Sequence, residues 1–160
     1  MKIKVILQTV IGSMLISGTF VCHAAKWEKN DDADAAIASG YYNTHSIKSD
    51  DKIVSWTEKY ILTTDGISAI STEISKHKKC KENITEKGDV TQMQMDYQIE
   101  KKTLKFRTVA KRYYNKADKL ICTDKDTGDD FKSNWSPIQR GSSMQRAQFD
   151  LVTKYKIKIQ

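Results

Sequence analysis

The residues whose types and spacing could do chemistry are few. Cys80 and Cys122 are the thiols of the chain body, since the third cysteine, Cys22, sits at the end of an N-terminal apolar run. A redox or nucleophilic thiol needs a lowered pKa and is commonly found in a Cys-x-x-Cys arrangement, which this sequence lacks. If Cys22 leaves with a leader, the remaining two have a single intramolecular pairing, and a disulfide is expected. Closing a loop of roughly 40 residues contributes about 4 kcal/mol in the chain-entropy account. Asp124, Asp126, Asp129 and Asp130 form an acidic run that invites a hard-cation reading. The twelve-residue calcium loop and its closing glutamate are missing, so the expectation is a solvated loop and no metal. Met93 and Met95 fall on the apolar side of a stretch that alternates with Gln94, Asp96 and Gln98, and read as gap-filling core residues, without the converging thiols or imidazoles of a soft-metal site.

His45 and His77 have no HExxH, nucleophile elbow or glycine-rich phosphate loop around them. The chain is therefore expected to be non-enzymatic and to use no cofactor; an enzyme built on dispersed carboxylates is the alternative. What remains is charge. The 160 residues carry a formal charge of +7, a balance that favours acidic partners and is also compatible with plain solubility.

The N-terminus reads as an export signal: Lys2 and Lys4, an apolar stretch over 5–21 with no acid, then Val21-Cys22-His23-Ala24-Ala25. Gln8, Thr9, Ser13, Ser17 and Thr19 interrupt the run, and no basic stop-transfer cluster follows, which disfavours a membrane anchor. Lipidation at Cys22 is the minor alternative, because Val21 precedes it where a small residue is wanted. The expectation is a signal peptide over 1–24 and one domain over 25–160, exported to the periplasm, the outer-membrane surface or the medium. No transmembrane segment is expected after cleavage.

The elements that must position these groups centre on residues 41–60. Val54, Trp56 and Tyr60 share one face of a period-2 strand, while Ile53, Ser55, Thr57 and Lys59 share the other. Ser49-Asp50-Asp51 supplies turn-forming side chains, so the stretch predicts a hairpin; a buried helix fits less well with so many β-branched and aromatic residues. Around it, Trp27 opens a short first strand, and 30–40 reads as a loop with a helical turn or a short helix closed by Gly40. Thr63 to Gly66 is a turn before a helix marked by Ile67, Ile70 and Ile74, and 77–86 reads as a lysine-rich loop pinned by Cys80. Met93, Met95, Tyr97 and Ile99 alternate in a strand, as do Leu104, Phe106, Thr108 and Ala110 in the next. Residues 120–122 return as a further strand. Ser142 to Gln145 forms a capping box ahead of Met144, Ala147, Leu151 and Tyr155 on one helical face. The fold class expected is α+β: an antiparallel sheet of about five to six strands, a C-terminal helix on one face and one disulfide. Trp56, Tyr60 and Trp135 are its expected structural core.

Tyr41-Tyr42, Ser46-Ile47, Val54-Ser55-Trp56 and Trp135-Ser136-Pro137-Ile138 with Gly141-Ser142 occur in an order that resembles the surface adhesin E-like family of small exported bacterial proteins. The resemblance runs from about Trp27 to Tyr155. It implies an antiparallel sheet with a C-terminal helix on one face, and a protein engaging host extracellular-matrix partners. Many members carry one cysteine near the position of Lys101 and another in the final helix; both are absent here, and 66–90 looks inserted. No binding residue of the family carries over to this chain.

The functional expectation is an exported surface or periplasmic binding protein for a protein or acidic polymer, with no nucleic-acid partner. The alternative is a periplasmic inhibitor or immunity-type protein that binds an enzyme, disfavoured where the target is itself cationic. Lys105, Arg107 and Lys111, at even spacing along one strand, are the candidate basic binding face, with Lys78, Lys79 and Lys81 nearby; a solvated edge-protecting stripe is the plain reading. The intact mass of the exported product is expected to match a chain starting at Ala25 with no alkylatable thiol before reduction. Retained residues before Ala25, or two thiols that react under non-reducing denaturation, would contradict it.

Overall fold

The computed structural model describes residues 25–31, 33–76, 78–87, 89–125 and 135–159. The expected signal peptide, and Asp126, Asp129 and Asp130 of the acidic run, lie outside the described residues. In chain order the elements are β1 (Trp27–Asn30), β2 (Ala38–Ser49), β3 (Ile53–Leu62), α1 (Thr64–Ile74), α2 (Lys78–Lys87), β4 (Gln92–Glu100), β5 (Lys105–Tyr114), β6 (Leu120–Lys125), β7 (Ser136–Pro137) and α3 (Ser143–Thr153). The fold is α+β, with one antiparallel sheet ordered β1-β2-β3-β4-β5-β6 and the two-residue β7 also paired with β5. The seventh strand is the short Ser136–Pro137 segment, which pairs with Lys105 and Phe106 at the opposite end of β5 from β6.

The central hairpin forms as its sequence predicts. Asp50 Oδ1 accepts from the backbone N–H of Lys52 and of Ile53, both at 2.7 Å, so the turn is closed by a local side-chain bond. Along β3 the alternation places Val54, Trp56, Glu58 and Leu62 in the interior, all under a tenth exposed. β4 continues the sheet with Trp56 opposite Tyr97 and Val54 opposite Ile99. Their rings stack at 5.4 Å between centroids, inclined by 28°, a geometry that adds about 1 kcal/mol to the burial of both side chains.

Helices cover the face to which Trp56 points. The cluster around Trp56, Tyr97, Val54 and Ile99 is closed by Met144, Ala147 and Leu151 of α3. The neighbouring cluster, around Leu62, Tyr113, Ile121 and Val90, is closed by Ile74 and the partly buried Ile67 and Ile70 of α1, with Cys80 and Ile84 of α2. α3 begins where its capping signal lies: Ser142 Oγ accepts from the Gln145 N–H at 3.2 Å, and the Gln145 side chain accepts from the Gly141 N–H.

Two local readings change. Of residues 77–86, expected as a loop, His77 lies outside the described residues and the rest are helical, within α2. The segment has few apolar residues, and its contacts concentrate on one flank: the Cys80–Cys122 disulfide ties it to β6, and Asn83 Nδ2 donates to the Ile121 carbonyl at 2.7 Å. Between Asn30 of β1 and Ala38 of β2 the described residues form a loop with one turn, closed by the Asp34 carbonyl, so the loop alternative holds; Gly40 does not close a helix and is a strand residue opposite Tyr60.

Gly66, expected as a turn residue, lies in the first turn of α1, where its N–H donates to the Thr63 cap. A Cβ there would stand 2.1 Å from the Ile37 carbonyl oxygen. The glycine is set by close approach of helix and loop, not by a positive φ. Gly66→Ala is expected to cost about 2 kcal/mol or more, because backbone must move, measured as a lower chemical-denaturation midpoint. Unchanged stability would show that the α1 start is not packed on Ile37.

Candidate functional site

Register decides which side chains share a face, because residues directly opposite in an antiparallel pair project to the same side. One face, under the helices, carries Tyr42, Trp56, Glu58, Tyr60, Met93, Tyr97 and Tyr113. The other carries cross-strand rows that are mostly polar. One runs Lys48, Ser55, Gln98, Arg107; the next runs Trp27, Asn43, Thr57, Asp96, Ala110; a third runs Lys29, Tyr41, Lys59, Gln94, Arg112. Both described core clusters use the helix-covered face, and no described helix covers this second face.

Two irregularities shape the open face. Pairing of β2 with β3 jumps between Asn43 and Lys48, and pairing of β4 with β5 shifts between Asp96 and Tyr97, leaving Val109 as the extra residue. Both interruptions fall at the level of Trp56 and Tyr97, one on each side of the central β3–β4 pair. In β2 the detour is held by Ser46 Oγ, which accepts from the Thr57 N–H at 2.8 Å and donates to the Asn43 carbonyl at 2.7 Å. The His45 N–H donates to Asn43 Oδ1 at 3.2 Å. Between the bulges lies a cleft of about 490 Å³ whose floor includes Ser55, Thr57, Asp96 and Gln98. Bulges recur where a sheet must re-aim side chains at a site.

The electrostatics of the floor are set by pairing. Arg112 holds Asp96 with two bonds, at 2.7 and 2.6 Å, and Thr57 Oγ1 donates to the same carboxylate at 2.8 Å. This bidentate pair raises the Arg112 pKa and offsets the Asp96 charge. Gln98 Oε1 accepts from Arg107 Nε and Nη2 at 2.9 and 2.6 Å, which orients the Gln98 NH2 away from that guanidinium. At the margins, Lys59 Nζ lies 4.5 Å from the Trp27 ring centre and 5.6 Å from that of Tyr41, and the Arg107 guanidinium lies 4.5 Å from that of Trp135.

The candidate basic face is not one face. Lys105 and Arg107 point to the open side, opposite Glu100 and Gln98, but the extra residue Val109 inverts the alternation, and Lys111 lies opposite Met95 under the helices. Its ammonium stands 3.6 Å from Glu73 of α1. The same inversion takes Ala110 to the Asp96 side, away from Phe106 and Thr108. Lys81 is exposed on α2, and the side chains of Lys78 and Lys79 lie outside the described residues. Trp135, expected in the core, is instead half-buried beside β5, against Arg107. Trp56 is 2% exposed, and Tyr60 is half-buried against the α1-side cluster.

Glu58 escaped the sequence reading, although it stands between Trp56 and Tyr60 in the alternation that marked the buried face. It is 3% exposed. Trp56 Nε1 donates to its Oε1 at 2.7 Å, and the Tyr60 hydroxyl donates to its Oε2. Paired donors are what make a buried carboxylate tolerable. A second pocket, lined by Asp31, Gln145, Arg146, Phe149, Asp150 and Lys154, flanks α3.

Among the described residues no group of three or more His, Cys, Asp or Glu converges to hold a metal, and no helix is long and apolar enough to cross a membrane. Comparison of the chain with protein-family models, curated proteins and solved structures finds no match. The adhesin E-like resemblance therefore rests on the short motifs quoted above.

Burial, then Tyr97 and Glu58, pushes the Tyr60 phenol far up; burial, then Glu58, also raises Tyr97. Burial, with Glu73 and Asp124, pushes Tyr113 up to about 12. A phenol whose folded pKa exceeds its unfolded value of about 10 supports folding fully below pH 10 and loses that support as pH rises toward the folded pKa. Thermal stability is thus expected to fall above pH about 10, and Tyr113→Phe to make the fall shallower. Equal alkaline slopes for the variant and the parent would remove Tyr113 from this account.

Proposed function

We propose that this chain is an exported, non-enzymatic binding protein of the adhesin E-like kind, engaging a protein or acidic polymer outside the cytoplasm through the open face of its sheet. The observation that supports it most is the asymmetry of that sheet. Helices close one face over the core clusters, while the other presents ordered polar rows with cations and aromatics at their margins. The side chains there are pre-positioned by strand pairing, so a partner would order few of them on binding, which lowers the entropic cost. The Cys80–Cys122 bridge suits an oxidising compartment.

Protease added to intact cells is expected to cleave the mature chain while a periplasmic marker stays whole. Strict periplasmic retention would overturn surface exposure and favour an inhibitor of a periplasmic enzyme. A matrix-type or acidic partner should lose binding on Lys59→Glu with Lys105→Glu, and keep it on Phe149→Ala, which alters the exposed outer side of α3.

A further inference from the structure

The cleft between the two bulges has a more specific chemistry than a general basic surface. We propose that it seats an anionic sugar unit of a sulfated or uronate-bearing glycan chain lying along the row Lys48, Ser55, Gln98, Arg107. The inference rests on the binding role of the open face proposed above.

Three observations favour this occupant. First, the row places a cation at each end: Lys48 stands opposite Ser55, Ser55 opposite Gln98, and Gln98 opposite Arg107. Its ends lie three strand spacings apart, about 14 Å, the reach of a short oligosaccharide with acidic groups on successive units. Second, the carboxylate in the floor does not oppose an anion, because Arg112 grips Asp96 with both nitrogens. Third, the side chains between the cations, Ser55 and Gln98, are neutral: Ser55 offers a hydroxyl, and Gln98, its carbonyl held by Arg107, presents its NH2. In the next row Asn43, its carbonyl held by the His45 N–H, adds an NH2, and Thr57, its proton given to Asp96, adds an acceptor oxygen. Dense alternating donors and acceptors at fixed spacing match the hydroxyls of a sugar ring, and holding few rotatable bonds costs little entropy.

Other acidic ligands fit less well. An extended acidic peptide gains most of its affinity by adding to a sheet edge, where backbone groups are unpaired, whereas the cleft lies on a face over the paired β3 and β4. Single-stranded nucleic acid needs aromatic faces on which bases stack. The Trp27 and Trp135 rings beside the cleft are already covered on one side by Lys59 and Arg107.

The test is titration of the folded, disulfide-bonded chain with a heparin-derived hexasaccharide, with polyglutamate of equal charge in parallel. The hexasaccharide is expected to bind at least about tenfold more tightly than polyglutamate, with an affinity that falls as salt rises through the range where exposed charges are screened. Lys48→Glu and the cleft-filling Ser55→Phe should each weaken it about tenfold or more, without loss of the folded melting transition. Lys81→Glu, the same charge change on the exposed side of α2, should leave it within about twofold. Equal losses for Lys48→Glu and Lys81→Glu, full binding by Ser55→Phe, or equal affinity for polyglutamate would each overturn the glycan site. A surface-exposed chain that binds a protein partner and not the hexasaccharide would refute this site while leaving the open-face reading intact.

Discussion

The stack of Trp56 on Tyr97, beneath a helical layer, is the contact on which the rest of the molecule depends. It lies on the central β3–β4 pair, at the level where both neighbouring pairings slip. Burial of two aromatic rings there contributes several kcal/mol and fixes the register, because a one-residue slip would carry every buried side chain of β3 to the open face. Glu58 belongs to the same unit. Its carboxylate holds the Trp56 indole N–H and the Tyr60 hydroxyl, so the ring that anchors one cluster is tied to the ring that borders the other. Removing that acceptor would strand the buried Trp56 indole N–H, at a cost of about 1 to 3 kcal/mol, and would also release the part-buried Tyr60 hydroxyl.

With register pinned at the centre, irregularity is moved outward, to β2 and β5. A bulge lengthens one strand, bends it and sharpens its twist. Here both bulges open space above the Trp56–Tyr97 level on the uncovered side, while the helices pack the covered side without a break in either described cluster. The device that makes the cleft is therefore the one that splits the evenly spaced cations: Val109 adds one residue, which sends Lys111 to the face opposite Lys105 and Arg107 and brings Arg112 to theirs. Lys105 and Arg107 stay on the open face, where Arg107 is held by Gln98 and lies against Trp135, and Lys111 becomes a tether between the sheet and α1.

Much of this fold was legible because period-2 alternation and turn chemistry are local. The β2–β3 hairpin, the Asp50 turn, the alternating β4 and the Ser142-capped helix follow from residues adjacent in sequence, and the disulfide follows from counting cysteines. What was not legible depends on long-range pairing. A bulge leaves no compositional mark, since Val109 is as good a strand residue as its neighbours, so the even spacing of Lys105, Arg107 and Lys111 was misleading. Trp135, expected in the core, is laid beside Arg107 by the pairing of β7 with β5. Glu58 shows the converse: alternation puts it on the face of Trp56 and Tyr60, and only the two donors that the fold brings to it explain a carboxylate there. The cleft needed both slips at once, which no single stretch records.

α2 was the helix the sequence hid, and the reason bears on how the molecule holds together. Its residues are mostly charged or polar, and an isolated ten-residue helix of that kind is marginal in water. What retains it is Cys80 bonded to Cys122, with Asn83 donating to the Ile121 carbonyl one residue away on β6. Cys80 and Ile84 then close the cluster over Ile121 and Tyr113 that α1 alone leaves open on that flank. The bridge thus substitutes for apolar area that the helix does not have. Without it, α2 keeps little to oppose the entropy of its own fraying, and the cover over Tyr113 loosens first, while the Trp56 cluster under α3 retains its packing.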